Sequence, residues 1–220
     1  MHWPAIDSIN EAFPLPQGYR FRYLLDGDID ALIENLPEWH PNVRAGSSSV
    51  LLDRSYYLNR VAIGADPDKD CMLLLIVDSN GSVIGFVQGE RDSSNRSFYG
   101  GLAVIAPAHR GTGMYKIIPR LAEWITRAMK LEFFYVMATL HHPIVQKMYE
   151  SEGFTLIGFT PGYDREEVTP GVIKRVFEAV YAKVLIPDDQ LLWPNMDNLT
   201  PRARELFAAT FKSYGLATPN

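Results

Sequence analysis

Seven consecutive apolar residues, Cys71 to Val77, run into the turn quartet Asp78-Ser79-Asn80-Gly81, and a β-branched and aromatic stretch, Ser82 to Glu90, follows. A run of that length bounded by turn chemistry predicts a strand, and the pair predicts a hairpin. Asp92-Ser93-Ser94-Asn95 marks another turn before the strand Ser97 to Ile105, whose Gly100-Gly101 pair signals a bulge or a close backbone approach. The period then changes. Met114, Ile117, Ile118, Leu121, Ile125 and Ala128 fall at offsets of 0, 3, 4, 7, 11 and 14, one stripe of a helix packed on a sheet. Leu131 to Leu140 is apolar almost throughout and predicts a strand buried on both faces, reached by a parallel crossover through that helix. Three antiparallel strands followed by one parallel crossover restrict the chain to a mixed sheet and argue against a doubly wound one.

The flanks are read in the same way. Pro4, Pro14 and Pro16 remove backbone donors from residues 1 to 18, which predicts an arm rather than a long helix or a central strand. Tyr19 to Leu25 reads as a strand, and Asp26-Gly27-Asp28 as the cap of a helix, Ile29 to Leu36, that stops before Pro37. Ser47-Ser48-Ser49 is placed to cap a second helix running through Val50, Tyr56 and Leu58. Pro119 requires either a kink in the early turns of the next helix or a helix that starts near it. Pro143 to Ser151 is a short helix ended by Gly153, Phe154 to Thr160 a strand, Pro161 to Gly171 a polar loop, and Val176 to Leu185 the last strand. The expected organisation is one domain over residues 1–185 and an extension, 186–220, with one helix opened by Thr200-Pro201.

Composition narrows the function. The 220 residues carry 21 Lys and Arg against 26 Asp and Glu, a net charge of 21 − 26 = −5, the wrong sign for a protein that neutralises nucleic-acid phosphates. Cys71 is the single cysteine, so neither an intrachain disulfide nor a zinc site built on thiolates is available. The first residues, Met1-His2-Trp3-Pro4, lack the pattern of a signal peptide, and the longest apolar run is far short of a membrane span. A soluble, cytoplasmic protein with no nucleic-acid or membrane partner is expected.

Chemistry concentrates in Ala106-Pro107-Ala108-His109-Arg110-Gly111-Thr112-Gly113-Met114-Tyr115, a strand end followed by a basic, Gly-bearing turn that opens into a helix. Gly111 and Gly113 let successive amides turn toward one point, and the helix start and Arg110 add positive charge, which makes the segment an anion cradle suited to a pyrophosphate. It has neither the Walker spacing nor the Gly-x-Gly-x-x-Gly of dinucleotide folds.

Residues 70 to 185 resemble the GNAT superfamily of N-acetyltransferases. Three segments carry the resemblance in order: Asn80-Gly81-Ser82-Val83-Ile84-Gly85-Phe86-Val87 as the hairpin into the third strand, Arg110-Gly111-Thr112-Gly113-Met114-Tyr115 as the Arg/Gln-x-x-Gly-x-Gly/Ala pyrophosphate loop, and Met148-Tyr149-Glu150-Ser151-Glu152-Gly153-Phe154 as the Leu-Tyr-Glu-x-x-Gly-Phe segment. The resemblance implies an α/β (α+β) GNAT fold: a central mixed, mostly antiparallel twisted sheet of about seven strands, with helices on both faces and extensions at both ends. It further implies acetyl-coenzyme A as acyl donor and no metal, with the cofactor held by Ile105, Arg110, Gly111, Thr112, Gly113, Met114, Tyr115 and His142. Two positions depart from the pattern: Tyr115 stands where the family prefers Gly or Ala, and His142 where it usually has Asn, so His142 either replaces that amide or caps the helix near Pro143.

By the same resemblance, the Ile105 amide polarises the thioester carbonyl and Tyr149 protonates the departing thiolate. No carboxylate occurs between Ser97 and Ile105, where many members carry a Glu, so the base stays open among Glu90, Asp92, Asp164, Glu166, Glu167, His109, His142 and a water chain. Acceptor recognition is expected from Arg44, Arg54, Tyr56, Tyr57 and the segment Pro161 to Gly171, whose acidic residues suit a cationic amine. The expected activity is transfer of an acetyl group to a primary amine of a small molecule, with a homodimer as the possible assembly. A transferase for a longer acyl-coenzyme A and a catalytically silent acyl-coenzyme A binder stay open as alternatives.

Overall fold

The structure, a computed structural model, describes residues 2–211. Its strands are β1 (Tyr19–Tyr23), β2 (Cys71–Asp78), β3 (Val83–Asp92), β4 (Ser97–Ile105), β5 (Phe133–Thr139), β6 (Thr155–Thr169) and β7 (Val172–Val184). They form one sheet in the order β1-β2-β3-β4-β5-β7-β6. Every neighbouring pair is antiparallel except β4 and β5. The helices are α1 (Ile6–Ala12), α2 (Ile29–Trp39), α3 (Arg54–Arg60), α4 (Ile118–Ala128), α5 (Ile144–Ser151) and α6 (Pro201–Thr210).

Strand β2 explains the unbroken apolar run, because it is central and covered on both sides. Met72, Leu74 and Ile76 belong to a core shared with α1, α4 and α5, whereas Cys71, Leu73, Leu75 and Val77 belong to a second core under α2 and α3. That second core ends at β4, where Val104 is its last strand contribution. For this reason β5 does not have the two buried faces expected of it. Its Phe134, Val136 and Ala138 are buried, while Tyr135, Met137 and Thr139 alternate with them on a half-open face.

Other expectations are corrected as well. A helix does form in the arm, but α1 is only seven residues long and lies between Pro4 and Pro14. Helix α2 runs through Pro37 to Trp39 instead of stopping before it, with Leu36 and Trp39 both buried. Burial of the last turn offsets the one backbone bond that Pro37 cannot donate. Ser47-Ser48-Ser49 does not cap α3: residues Ser47–Leu52 form a 3-10 turn, and Asp53 is the cap, its carboxylate accepting the Ser55 amide at 2.8 Å. Of the two readings at Pro119, the later start holds, since a 3-10 turn, Met114–Ile117, precedes α4 and Pro119 sits in its first turn. Pro161 to Gly171 is not a loop. It belongs to a long β6–β7 hairpin in which Asp164 pairs with Val176 and Glu167 with Ile173, the turn lying near Gly171. Thr200 caps α6 as expected, accepting the Ala203 amide at 3.2 Å; the rest of the predicted C-terminal extension, 212–220, lies outside the described residues. No described helix is long and apolar enough to cross a membrane.

Candidate active site

The parallel ladder between β4 and β5 holds only from Ser97–Phe133 to Gly100–Val136. Beyond Gly100 the strands separate. On the other side of β4, Val87 pairs with Ala103 and Gly89 with Gly100, so Gly101 and Leu102 together oppose Gln88, which is a bulge. A side chain on Gly101 would come within 2.9 Å of Gln88 Oε1, so the Gln88 side chain packs into the space that the glycine leaves open. The bulge bends β4 away from β5 and opens a cleft of about 530 Å³ between them, lined among others by Tyr99, Val136, His142, Tyr149, Glu166 and Glu178.

The amide of Ile105 points away from β3, and Ile105 lines a second, smaller cavity at this end of β4. Ala106 donates to the Ile84 carbonyl at 2.8 Å, and Ile105 stands opposite Gly85. In an antiparallel pair bonded and non-bonded residues alternate, so the N–H and C=O of Ile105 point away from β3. Its carbonyl accepts Arg110 Nε at 2.9 Å, as that orientation requires.

The turn after β4 has the conformation its glycines suggest. Gly111 and Gly113 have φ of 78° and 84°, a region that other residues enter only with strain. The amides of Gly111, Thr112 and Gly113 make no hydrogen bond to a described residue, which leaves them for an anion. A cavity of about 260 Å³ lies against this turn and shares His40, Ala103 and Tyr115 with the main cleft. Thr112 is exposed, and its hydroxyl donates to the His109 carbonyl at 3.1 Å. Met114 is buried in the core and anchors the turn. Tyr115 stands at the seam of the two cavities, its phenol pushed up by burial. Arg110 has a different setting from the one its sequence suggests. Besides the Ile105 carbonyl, its guanidinium donates to the carbonyl of Trp39 at 2.6 Å, tying the end of α2 to the end of β4. Two backbone carbonyls thus engage it from below the turn, and its charge contributes to the cavity wall it lines.

Tyr149 comes from α5, which Gly153 ends in a left-handed conformation (φ 78°). Its ring packs edge-on to Phe154 at 4.9 Å and Phe134 at 6.4 Å. The hydroxyl has no partner among the described residues, yet no described buried side-chain oxygen is unpaired, so it opens into the cleft that it lines. Burial pushes the phenol well above the usual tyrosine range, and nearby Tyr115 and Tyr99 add to the shift. Such a group stays protonated at neutral pH. His142 is exposed at the cleft rim; the α5 cap is Pro143 and no side chain bonds there, so the imidazole does not cap the helix.

The candidate bases separate clearly. Asp92 accepts the Ser94 and Asn95 amides at 2.9 and 3.0 Å, and Glu167 the Gly171 amide at 2.6 Å, so both are turn residues. His109 faces β1, where Nδ1 lies 3.0 Å from the Tyr19 hydroxyl, and lines neither cavity. Glu90, Asp164 and Glu166 do line the cleft, but Glu90 pairs with Arg60 at 2.5 Å, Glu166 with His141 at 2.6 Å, and Asp164 accepts the Ser47 amide at 2.7 Å. Glu178 was missed in the sequence. It sits on β7 opposite Thr139, its carboxylate has no ion pair or hydrogen bond among the described residues, and it lines the cleft. Burial, together with Asp164 and Glu166, pushes it up to about 7. A lone carboxylate within Val176-Phe177-Glu178-Ala179-Val180 is the signal that marks it. His40, also unremarked, lines both cavities and is held below the ordinary imidazole value by burial and Arg110, against the pull of Glu166.

No protein-family model and no curated protein matches the sequence. Solved structures do match. A GNAT N-acetyltransferase of Kribbella flavida superposes with a TM-score of 0.59 at 15% identity, over 77% of this chain and 99% of that one. A ribosomal-protein-S5-alanine acetyltransferase of Vibrio fischeri gives 0.57 at 14% identity, over 80% and 97%. A dodecameric spermidine N-acetyltransferase of Vibrio cholerae gives 0.56 at 20% identity, over 76% and 94%. The chain has the GNAT fold, a seven-stranded mixed sheet flanked by helices, as these acetyltransferases do.

Proposed function

We propose that the protein is an N-acetyltransferase that moves an acetyl group from acetyl-coenzyme A to the amine of a small, cationic acceptor. One observation carries the reading: an unpaired carboxylate that titrates near neutrality, Glu178, and a protonated, unpaired phenol, Tyr149, line the cleft that opens where β4 leaves β5. The residues fit the donor. Three free amides at Gly111–Gly113 suit a pyrophosphate, and the cavity beside them leads into the cleft past Tyr115.

Acetyl-coenzyme A would supply the acetyl group as a thioester. Glu178 takes a proton from the acceptor ammonium, which must be neutral to attack, and Glu90, Asp164 and Glu166 favour a cation at that end of the cleft. The Ile105 amide donates to the carbonyl oxygen as negative charge develops on it. Tyr149 gives its proton to the leaving sulfur.

The test is isothermal titration with acetyl-coenzyme A, followed by a free-thiol assay over a panel of amines. Binding plus amine-dependent thiol release is the expected result. Binding without release from any amine would make the chain a silent binder, and failure to bind either acetyl- or longer acyl-coenzyme A would end the enzyme reading.

A further inference from the structure

The two halves of the sheet part at the cleft and are joined again across it. On one side lies the Ser47–Leu52 turn, whose Leu51 shares a core with Leu73, Phe86 and Val104 of β2, β3 and β4. On the other lies the β6–β7 hairpin, beyond β5 in the sheet order. Asp164 joins them. Its Oδ1 accepts the Ser47 amide at 2.7 Å and its Oδ2 the Ser47 hydroxyl at 3.1 Å, while the Arg165 amide, donating to Oδ1 at 2.8 Å, holds the carboxylate in place. Ser47, Tyr163 and Asp164 line the main cleft and also a separate cavity of about 410 Å³, so the contact is a partition with open space on both sides. Gly46 shows how close the approach is. Its φ is 75°, and a Cβ there would press on the Asp164 carboxylate and lie 2.5 Å from the Arg165 carbonyl oxygen. A carboxylate can rotate aside but a backbone oxygen cannot, so a side chain at this position forces turn and hairpin apart.

We propose that this clasp between Asp164 and the Gly46–Ser47 turn sets the specificity of the site, restricting the acceptor to a primary amine on a slender, unbranched chain. The proposal rests on the acetyltransferase reading of the cleft. Strand register places the clasp beside the base. Asp164 pairs with Val176, and Glu178 lies two residues further along β7 on the same face, a spacing of roughly 7 Å at the rise of an extended strand. An acceptor whose nitrogen is at Glu178 therefore has its first carbons level with the clasp. A polymethylene chain fits beneath the bridge, whereas a body that broadens close to the nitrogen meets the Ser47–Asp164 contact and is rejected by steric clash.

The probes are hexylamine and adamantylmethylamine, two primary alkylamines of similar basicity that differ in width next to the reacting nitrogen. In the free-thiol assay at saturating acetyl-coenzyme A, wild-type kcat/KM for hexylamine should exceed that for the cage amine at least about 100-fold, and Gly46→Ala should cut that ratio at least about tenfold by admitting the cage amine. Asp164→Ala opens the clasp without steric strain and keeps the test decisive should Gly46→Ala not fold; its lost charge weakens both cations alike and cancels in the ratio. A wild-type ratio near one, or a ratio unchanged in folded Asp164→Ala, overturns the proposal. Titration calorimetry of both amines on the coenzyme A-saturated protein separates the two readings: width selection in binding, lost in Asp164→Ala, with no thiol release from either amine removes the acetyltransferase reading and keeps the clasp, whereas thiol release from both amines at similar kcat/KM does the reverse.

Discussion

Replacing Glu178 by Gln should make the protein slower and more stable together. Glu178 is raised from 4.5 to about 7, mainly by burial, with Asp164 and Glu166 adding repulsion. Its folded pKa thus lies above the unfolded one, so the folded state holds the extra proton between pH 4.5 and 7. Stability falls over that window as the pH rises, because ionising the folded chain is harder than ionising the unfolded one. At about 1.4 kcal/mol per pH unit the full shift amounts to about 3 kcal/mol. Solvent reaches this half-buried side chain, and screening reduces the effect to about 1–2 kcal/mol. Glu178→Gln removes it, which should raise Tm by roughly 3–6 °C at pH 8 and leave it unchanged at pH 4.5. For activity, wild-type kcat/KM should climb with slope one up to about pH 7 and then level off, and at pH 6 only about a tenth of Glu178 is ionised. The variant should lose about 100- to 10,000-fold and show no inflection near 7. Scanning calorimetry at the two pH values and a pH series of the thiol-release assay check both arms. A wild-type profile flat between pH 6 and 8, or a variant with wild-type turnover, would refute the assignment of Glu178 as base.

Tyr149→Phe keeps the ring contacts with Phe154 and Phe134 but removes the proton donor; turnover should fall about 100-fold or more while the Kd for acetyl-coenzyme A, from titration calorimetry, stays within a factor of two or so. Gly113→Ala places a side chain at φ 84° and should cost about 1–2 kcal/mol, seen in urea denaturation, and weaken acetyl-coenzyme A binding by distorting the amide cradle. Arg110→Ala deletes the bonds to the Ile105 and Trp39 carbonyls, so its main effect should be a loss of about 2–3 kcal/mol of stability; unchanged stability with lost cofactor binding would show instead that Arg110 acts on the anion directly.

The fold was legible to the extent that each element contains its own instructions. The helical stripe from Met114 to Ala128 and the apolar run at Cys71–Val77 state their period locally; β2 forms where its run indicates, and α4 takes up the stripe from Ile118, after a 3-10 turn over Met114–Ile117. The errors differ in origin. Pro37 signals a stop and is overruled by the core under α2, built from residues distant in sequence; Ser47-Ser48-Ser49 loses the cap to Asp53 a few residues on, and Pro161–Gly171, polar enough to read as a loop, is held as strand by its pairing with β7 across a hairpin. The site follows the same division. The glycines of the turn and the Tyr149 segment were visible because backbone conformation and helix ending are local properties.

The identity of the base and the employment of Arg110 were decided only in three dimensions. Glu178 is 73 positions from Ile105 in sequence and acquires its raised pKa from burial in a cleft that exists only because β4 bulges at Gly101 and leaves β5. Arg110 looks free for an anion until the end of α2, 71 residues away, offers it a carbonyl. Local sequence determines which conformations the chain prefers, since propensity and period act over a few residues. Desolvation and hydrogen-bond partners depend on what the folded chain brings alongside, and for Glu178 and Arg110 that is the work of the tertiary structure.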